Sequence, residues 1–244
     1  MLLLSLDTSS PSGSVAVLRD AIVLGIVSTW TDEDYSSRMF RHVEWLLKEL
    51  SLDLGRFDAF AVASGPGSFT GLRVGLAAVK GWAEVYNRPI VAVGVLEAIA
   101  AEAKAPSSLL VPVFDARRGE VYFGFYRRAG QTPLAIPVPE EEARVSSPED
   151  FLAVVARRAD EQELSIVTPT PGVLAERLLA LNAGREHRRP LRMESVTNVL
   201  APVVGQIAYH RRETGKTDSA LTLDANYVRR TDAELKWKGP TQQR

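Results

Sequence analysis

A glycine-rich segment is the part of the sequence best suited to holding an anion. It reads Gly65-Pro66-Gly67-Ser68-Phe69-Thr70-Gly71-Leu72-Arg73-Val74-Gly75, follows the apolar residues 57–63 and opens a helical pattern that runs to residue 86. A strand, a glycine turn and a helix in this order aim the free amides of the helix N-terminus at the turn, where an anion can bind. Glycine equally lets two chain segments approach closely, because it has no side chain. The glycine intervals match neither the dinucleotide fingerprint nor the phosphate-binding lysine loop.

Other chemistry-bearing patterns are sparse. The three histidines are His42, His187 and His210, and no two are spaced to share a metal from one helix face. No nucleophile and base stand together in a recognisable motif. The sequence therefore predicts no catalytic residue and no metal site.

Composition narrows the class of protein. The 244 residues include 29 Lys and Arg against 30 Asp and Glu, a net charge of −1, and no cysteine. A protein that grips nucleic acid unaided usually carries a basic excess, and without cysteine there is neither a disulfide nor a thiolate metal site. The start of the chain lacks the basic region and cleavage site of a signal peptide, and no apolar run reaches the ~20 residues of a membrane span. We expect a soluble cytoplasmic protein that does not touch a membrane.

The order of predicted elements repeats. Strands at 2–6, 14–18 and 21–29 precede a helix at 33–50, for which Asp32 is a candidate cap. The first half continues with the predicted strand 57–63, helix 70–86, strand 90–93 and a short helix to residue 104. After a linker at 105–108, the second half has predicted strands at 109–114, 119–127 and 132–138, a helix at 148–159, a strand at 165–168, a helix at 173–181, a strand at 191–193 and a last helix at 198–214.

Two copies of a βββαβα order predict an α/β, actin-like and RNase H-like duplicated fold. We predict two lobes, residues 1–104 and 105–244, with the last long helix packing back on the first lobe. In such folds the first hairpin of each lobe faces a cleft and can hold nucleotide phosphates. The candidate nucleotide or anion contacts are Asp7, Thr8, Gly67, Ser68, Thr70, Arg73, Asp115 and Arg117. Arg117 and Arg118 stand where backbone should approach phosphate; they can bind phosphate themselves or be surface charge.

Two predicted helices carry an apolar face beyond the one that a sheet needs. In the helix at 70–86, Leu72, Leu76 and Val79 suit the sheet, and a second face is small at three of its four positions. In the helix at 33–50, the second face carries aromatic and basic side chains, which dominate protein interfaces. The predicted partner interface is Tyr35, Arg38, His42, Trp45, Gly71, Gly75, Ala78 and Trp82. On this hypothesis Gly75→Leu blocks association and leaves the fold mostly intact; the alternative is that Gly75 packs inside its own lobe.

Four blocks of the sequence, in order, resemble one known family. They are residues 4–9 (Leu-Ser-Leu-Asp-Thr-Ser), the segment Gly65-Pro66-Gly67-Ser68-Phe69-Thr70-Gly71-Leu72-Arg73, residues 115–122 (Asp-Ala-Arg-Arg-Gly-Glu-Val-Tyr) and residues 225–229 (Ala-Asn-Tyr-Val-Arg). They resemble the TsaB (YeaZ) family, the partner subunit in bacterial synthesis of threonylcarbamoyladenosine (t6A) in tRNA. The sequence departs from the family pattern at Tyr35-Ser36, where His-Ser is usual, and at 168–172, which lacks the acidic residue of a Gly-Asp-Gly motif.

The resemblance implies a non-catalytic scaffold subunit. It would dock a catalytic TsaD-type protein, with a TsaE-type ATPase, for N6-threonylcarbamoyladenosine formation at position 37 of tRNAs that read ANN codons. Contact with tRNA would occur only within the complex. The chain alone would require no cofactor, and ATP or ADP could bind in the assembled complex. Without its partner the chain would form a homodimer. The competing hypothesis is an ATP-dependent phosphotransferase or hydrolase that works in its own cleft through Asp7, Thr8, Asp115 and Gly172.

Overall fold

The computed structural model describes residues 1–31, 33, 35–128, 136–185, 188–226 and 228. The strands are β1 (Leu2–Asp7), β2 (Ser14–Arg19), β3 (Ile22–Ser28), β4 (Ala59–Gly65), β5 (Ile90–Gly94), β6 (Leu109–Arg117), β7 (Glu120–Phe123), β8 (Tyr126–Arg127), β9 (Val138–Pro139), β10 (Arg144–Ser146), β11 (Leu164–Thr168) and β12 (Arg192–Ser195). The helices are α1 (Tyr35–Glu49), α2 (Phe69–Tyr86), α3 (Val95–Ala101), α4 (Pro148–Glu161), α5 (Ala175–Ala183) and α6 (Ala201–Glu213).

The first sheet has the strand order β3-β2-β1-β4-β5. β1 pairs antiparallel with β2 and parallel with β4, which pairs parallel with β5. The parallel strands are apolar almost throughout because helices cover both faces of the sheet. Leu4 and Leu6 pack toward α1 and α2, whereas Leu3 packs toward α6.

The second sheet repeats this arrangement, with the main order β10-β7-β6-β11-β12. β6 pairs antiparallel with β7 and parallel with β11, and β11 pairs parallel with β12. Equivalent strands therefore occupy equivalent places in the two sheets. The duplicated, actin-like α/β fold predicted from the element order is confirmed.

The third strand of the second sheet is not where the sequence suggested. The predicted strand at 132–138 falls mostly on residues outside those described, and only its last residue is in a strand, β9. The place next to β7 belongs to β10, which pairs with it through Val145 opposite Tyr122. The predicted strand 119–127 is also divided into β7 and β8, with Gly124 and Phe125 between them. Asp32, the candidate helix cap, lies outside the described residues.

Helix α6 lies on the first sheet although it follows the second one in the chain. Its first residue, Ala201, is held on both sides: Ser5 Oγ donates to its carbonyl oxygen at 2.7 Å, and its N–H donates to Ser14 Oγ at 3.0 Å. Gly205 allows the helix close to Leu18, whose Cδ1 would be 2.3 Å from an added Cβ. The division of the chain after residue 104 stays a prediction.

Helices α3 and α6 form the layer between the two sheets. One apolar cluster contains Ile99 of α3, Ile207 of α6 and Phe114 of β6. Glu97 of α3 forms two hydrogen bonds of 2.7 Å with the guanidinium of Arg211 on α6. Burial raises the pKa of Glu97, and Arg211 opposes that shift. None of the helices in the described ranges has the length and apolar character that a membrane crossing requires.

The Glu97–Arg211 pair gives a first testable prediction. Arg211→Ala leaves a nearly buried carboxylate without its cation, so we expect the free energy of unfolding to fall by about 3 kcal/mol. Arg212→Ala, at the next and exposed position, is the control and should change stability by less than about 0.5 kcal/mol. Urea unfolding of both variants makes the comparison. Equal losses would show that the pair does not hold the central layer together.

Candidate functional site

The turn after β1 is buried and held by its own side chains. Asp7 is fully buried, and its Oδ1 accepts hydrogen bonds from the Ser9 N–H at 2.9 Å and from Ser9 Oγ at 2.6 Å. The other oxygen, Oδ2, and the hydroxyl of Thr8 have no hydrogen-bond partner among the described residues. Burial raises the pKa of Asp7, and the two Ser9 hydrogen bonds oppose this shift. A carboxyl in such a place favours its neutral form.

The glycine-rich turn is filled by the chain itself. A Cβ at Gly67 would lie 2.6 Å from the carbonyl oxygen of Ser9, and the Ser68 N–H donates to that same oxygen at 2.7 Å. Gly65 has φ +116°, a value that favours glycine, and faces the backbone of Asn226, whose N–H donates to Ser64 O at 2.7 Å. The turn therefore receives two neighbouring backbone segments, which fits the close-approach alternative.

The first turns of α2 pack closely against Thr8, the residue that follows β1. A Cβ added at Gly71 would lie 2.1 Å from the carbonyl oxygen of Thr8, and one at Gly75 would lie 2.4 Å from Thr8 Oγ1. Both glycines are buried, as is Ala78 at 8% exposed. Assigning Gly71, Gly75 and Ala78 to a partner surface was wrong, because β1 and its turn already occupy that side of the helix.

Arg38 is also internal. Its side chain is 2% exposed and donates to the carbonyl oxygens of Pro11, Thr31 and Thr29 at 3.1, 3.2 and 3.4 Å. Beside it, the Tyr35 hydroxyl accepts from the Gly13 N–H at 3.0 Å. These two residues tie α1 to the turn after β1. Arg38 was therefore wrongly predicted to face a partner, and Tyr35 is half-buried in the same contact.

The outward side of α1 and α2 carries a different set of residues from the predicted one. We define the outer face as Phe40, Trp45, Ala77, Gly81 and Val85, all exposed. Phe40 and Trp45 are 48% and 54% exposed, and Val85 is 74% exposed. An added Cβ at Gly81 would meet no atom within 4 Å.

Two predicted interface residues border this outer face. Trp82 is half-buried, with its ring centroid 5.8 Å from that of Phe60 and 6.2 Å from that of Phe40. His42 is half-buried, and its Nε2 lies 3.2 Å from Thr29 Oγ1. Of the eight predicted interface residues, Trp45 alone is exposed. The predicted set did not include the exposed residues Phe40, Ala77, Gly81 and Val85, although Ala77 and Gly81 repeat at the four-residue spacing of one helix face.

The predicted nucleotide or anion contacts fall in separate places. Asp7 and Thr8 are buried against α2, and Gly67 packs on Ser9. Ser68 Oγ caps α2 by accepting from the Gly71 N–H at 3.2 Å. Thr70 is exposed, and the guanidinium carbon of Arg73 lies 3.8 Å from the centroid of the Phe69 ring.

Asp115 and Arg117 contact each other. They lie on the other side of the interlobe cleft from the turn after β1. The Arg117 N–H donates to Asp115 Oδ1 at 2.7 Å, and the Asp115 N–H donates to Thr170 Oγ1 at 3.2 Å. The structure thus brings Asp7 and Thr8 together with Gly67 and Ser68, and Asp115 together with Arg117, but does not assemble the eight predicted residues into one phosphate site.

Histidines do not build a metal site in the part of the chain that is described. His42 lies on α1 and His210 on α6, and His187 is outside the described residues. Within those ranges no three His, Cys, Asp or Glu side chains are grouped so as to hold a metal ion.

The buried carboxyl of Asp7 predicts a pH dependence of stability. Its folded-state pKa is raised, so the stability linked to its protonated form is complete below the unfolded pKa of about 3.9 and is lost as pH rises through the folded pKa. Asp7→Asn keeps an oxygen for Ser9 and removes that loss. We expect its melting temperature to rise relative to that of the parent protein as the pH rises above about 4. If the melting temperature of Asp7→Asn instead falls relative to that of the parent protein as pH rises, ionised Asp7 is stabilised in the folded protein.

The two sides of α2 predict opposite effects of the same substitution. Gly75→Ala places a methyl group against Thr8 and should lower the free energy of unfolding by about 1–3 kcal/mol. Gly81→Ala, its matched control, meets open space and should raise stability by about 1 kcal/mol, because alanine has the higher helix propensity. Thermal unfolding of the two variants decides between them. A stable Gly75→Ala protein would restore the predicted partner face.

Comparison with known proteins gives the family. A family model described as "TsaD: tRNA N6-adenosine threonylcarbamoyltransferase" matches residues 18–161. The tRNA threonylcarbamoyladenosine biosynthesis protein TsaB of Bacillus subtilis is 37% identical over 127 residues, which cover 52% of this chain and 56% of that protein. The protein of the same name from Escherichia coli is 32% identical over 130 residues, with coverage of 52% and 56%. The chain spans about half the length of the curated relatives it matches.

Solved structures extend the likeness over both halves of the fold. YeaZ from Pseudomonas aeruginosa has a TM-score of 0.71 and 26% identity, and the match covers 93% of this chain and 99% of that one. A second Pseudomonas aeruginosa structure, described as similar to peptidase YEAZ, has a TM-score of 0.72 and 27% identity, with coverage of 93% and 99%. The family model, the curated relatives and these structures agree with the four sequence blocks, and the chain belongs to the TsaB (YeaZ) family.

Proposed function

We propose that this chain is a non-catalytic subunit that takes part in forming N6-threonylcarbamoyladenosine in tRNA by docking a TsaD-type catalytic protein. The printed names of the relatives and of the family model support the pathway. The outer face of α1 and α2 is the observation that carries the docking step. The target of the assembled complex would be position 37 of tRNAs that read ANN codons.

The outer face has the chemistry of a protein interface. Phe40 and Trp45 are large aromatic groups left in solvent, and such groups dominate binding energy when a partner covers them. Ala77 and Gly81 leave the backbone of α2 open to a partner helix. With Val85 they make an apolar strip along the exposed side of the helix. A helix pair of the TsaD-type protein is the partner that we assign to this strip.

Two features support a non-catalytic role. The predicted nucleotide contacts are spread over separate places, and the acid nearest the glycine-rich turn, Asp7, is enclosed by protein. The central layer of α3 and α6 also joins the two sheets in one apolar cluster, which opposes the lobe closure that cleft kinases use. The hypothesis of a phosphotransferase or hydrolase in this cleft requires magnesium-dependent ATP binding by the isolated chain that Asp7→Ala abolishes.

The assembly that we propose contains further components. A TsaE-type ATPase joins the two subunits, tRNA is contacted within the complex, and ATP or ADP binds in the assembly. Without its partner, the chain pairs with a second copy through the same outer face, since a two-fold pairing of one apolar patch is the commonest oligomer. All of these steps belong in the cytoplasm.

A substitution on the outer face tests the docking step. We expect Gly81→Leu to weaken association with the TsaD-type protein of the same genome by about tenfold or more, because the side chain holds the two helices apart and removes their packing contacts. The matched control is Gly172→Leu: Gly172 is also exposed and also meets no atom within 4 Å, but it lies outside α1 and α2. Association is measured by calorimetry, and folding by thermal unfolding.

We expect Trp45→Ala also to weaken association with the TsaD-type protein, although this substitution changes α1 and leaves α2 unaltered. Complementation of cells depleted of the native protein, with t6A in their tRNA quantified by mass spectrometry, connects docking to the pathway. If Gly81→Leu and Trp45→Ala bind the partner as tightly as the parent protein, the outer face is not the docking site. If the parent protein fails to restore t6A, the proposed function itself is wrong.

A further inference from the structure

The connection from α5 into the start of β12 is rich in arginine. Residues 185–192 read Arg-Glu-His-Arg-Arg-Pro-Leu-Arg, four arginines and one acid within eight positions, and we call them the arginine loop. Short segments of this density are typical of surfaces that bind nucleic acid. Arginine suits a phosphate better than lysine does, because its planar guanidinium can donate two hydrogen bonds to one phosphate group. The residue types therefore favour a phosphate ligand.

The described part of the loop, Arg185 and residues 188–192, is fixed from its inner side. Arg185 is 8% exposed, and its guanidinium donates to Asp160 Oδ1 at 2.7 Å and to the carbonyl oxygen of Arg189 at 3.3 Å. At the end of α5, the Asn182 side chain exchanges hydrogen bonds of 3.0 and 2.9 Å with the backbone of Leu191. One arginine is thus used to fix the loop, and the other three stay exposed.

Arg189 and Arg192 share one notch in the surface. Both line a cavity of about 190 Å³ between the loop and the turn that joins α4 to β11. That volume is below the ~300 Å³ at which small-molecule sites begin and several times the ~30 Å³ share of one water molecule, which suits a single phosphate group. Within the described ranges, neither guanidinium is paired with a carboxylate. Gln162 adds an amide to the lining and Glu163 adds one carboxylate, so two arginines face one acid there.

The notch lies in a positive region of a slightly acidic chain. The two segments that meet there, 157–163 and 185–192, carry six basic and four acidic side chains, a surplus of two. One of the acids, Asp160, is shared, because Arg185 donates to its Oδ1 and Arg188 to its Oδ2, both at 2.7 Å. Residues 1–104 carry nine basic and 12 acidic side chains, a net charge of −3. A polyanion is therefore attracted to this end of the second half and not to the first half.

We infer that the arginine loop is a contact surface for the phosphate backbone of RNA. One phosphate sits in the notch and pairs with Arg189 and Arg192, and Arg188 contacts a neighbouring phosphate. Contacts of this kind position RNA and carry no sequence information, so the loop adds affinity and leaves the choice of RNA to other surfaces. That the RNA is tRNA rests on the proposed function. The loop lies outside α1 and α2, so a partner on the outer face leaves it free.

Binding of a tRNA transcript to the complex of this chain with the TsaD-type protein tests the inference. Fluorescence anisotropy is measured at several salt concentrations. We expect Arg189→Gln combined with Arg192→Gln to weaken binding by about tenfold or more. The slope of log affinity against log salt should also fall by about one, the effect of one lost phosphate contact. The matched control is Arg19→Gln with Arg56→Gln, which removes the same charge from exposed positions of the first half and should leave affinity and slope unchanged.

Further measurements separate this inference from the docking proposal. Melting temperature and calorimetric association with the TsaD-type protein show whether each variant folds and docks as the parent protein does. The isolated chain is titrated with the same tRNA at low salt, where we expect weak, salt-sensitive binding that the Arg189 and Arg192 variant loses. If no complex forms, the docking proposal fails and this second titration still decides the role of the loop.

Three results would overturn the inference. They are unchanged tRNA affinity in the Arg189 and Arg192 variant, an equal loss of affinity in the Arg19 and Arg56 control, and binding of phosphatidylserine vesicles by a chain that does not bind tRNA. The second result would reduce the effect to net charge, and the third would make the loop a membrane contact.

Discussion

The contact between the end of β1 and the first turns of α2 is the constraint on which the rest of the first lobe depends. Thr8 can reach this position only because Gly71 and Gly75 present bare backbone to it. The same approach brings the Ser9 carbonyl over Gly67 and encloses Asp7. Since α2 is held in this rotation, its opposite side, with Ala77 and Gly81, has to face outward. One set of glycines therefore decides which residues of the helix remain exposed.

The fold could be predicted from the sequence because it depends on order and periodicity. The apolar strand of residues 2–6 and the helical stripe of Leu72, Leu76 and Val79 can each be buried in only one way. The duplicated βββαβα order and the family blocks then agreed with each other. The exception was the third strand of the second sheet. The segment 144–146 is too short and too polar to be recognised as a strand from the sequence, because it becomes one only by pairing with β7.

The site was predicted less well, for a physical reason. A small residue on a helix shows that something approaches closely, but not whether it belongs to the same chain. Gly75 meets Thr8, which is far away in sequence, and Gly81 meets no protein atom. Arg38 posed the same difficulty, because its acceptors are backbone carbonyls of Pro11, Thr29 and Thr31, which leave no signature in residue types. Trp45 was placed correctly on the exposed side of α1, whereas the role of Asp115 and Arg117 as nucleotide or anion contacts stays a prediction.

The return of α6 to the first sheet has a consequence for how the chain folds as it is made. β1, β2 and β5 leave the ribosome well before α6. The face of the first sheet that carries Leu3 and Leu18 therefore stays exposed while the second half is translated. At 5–20 residues per second this wait is on the order of ten seconds. During this interval the apolar face of the sheet is exposed, so chaperones can bind to it and the chain can aggregate through it. The first half of this protein therefore completes its packing only after synthesis of α6, the last helix among the described residues.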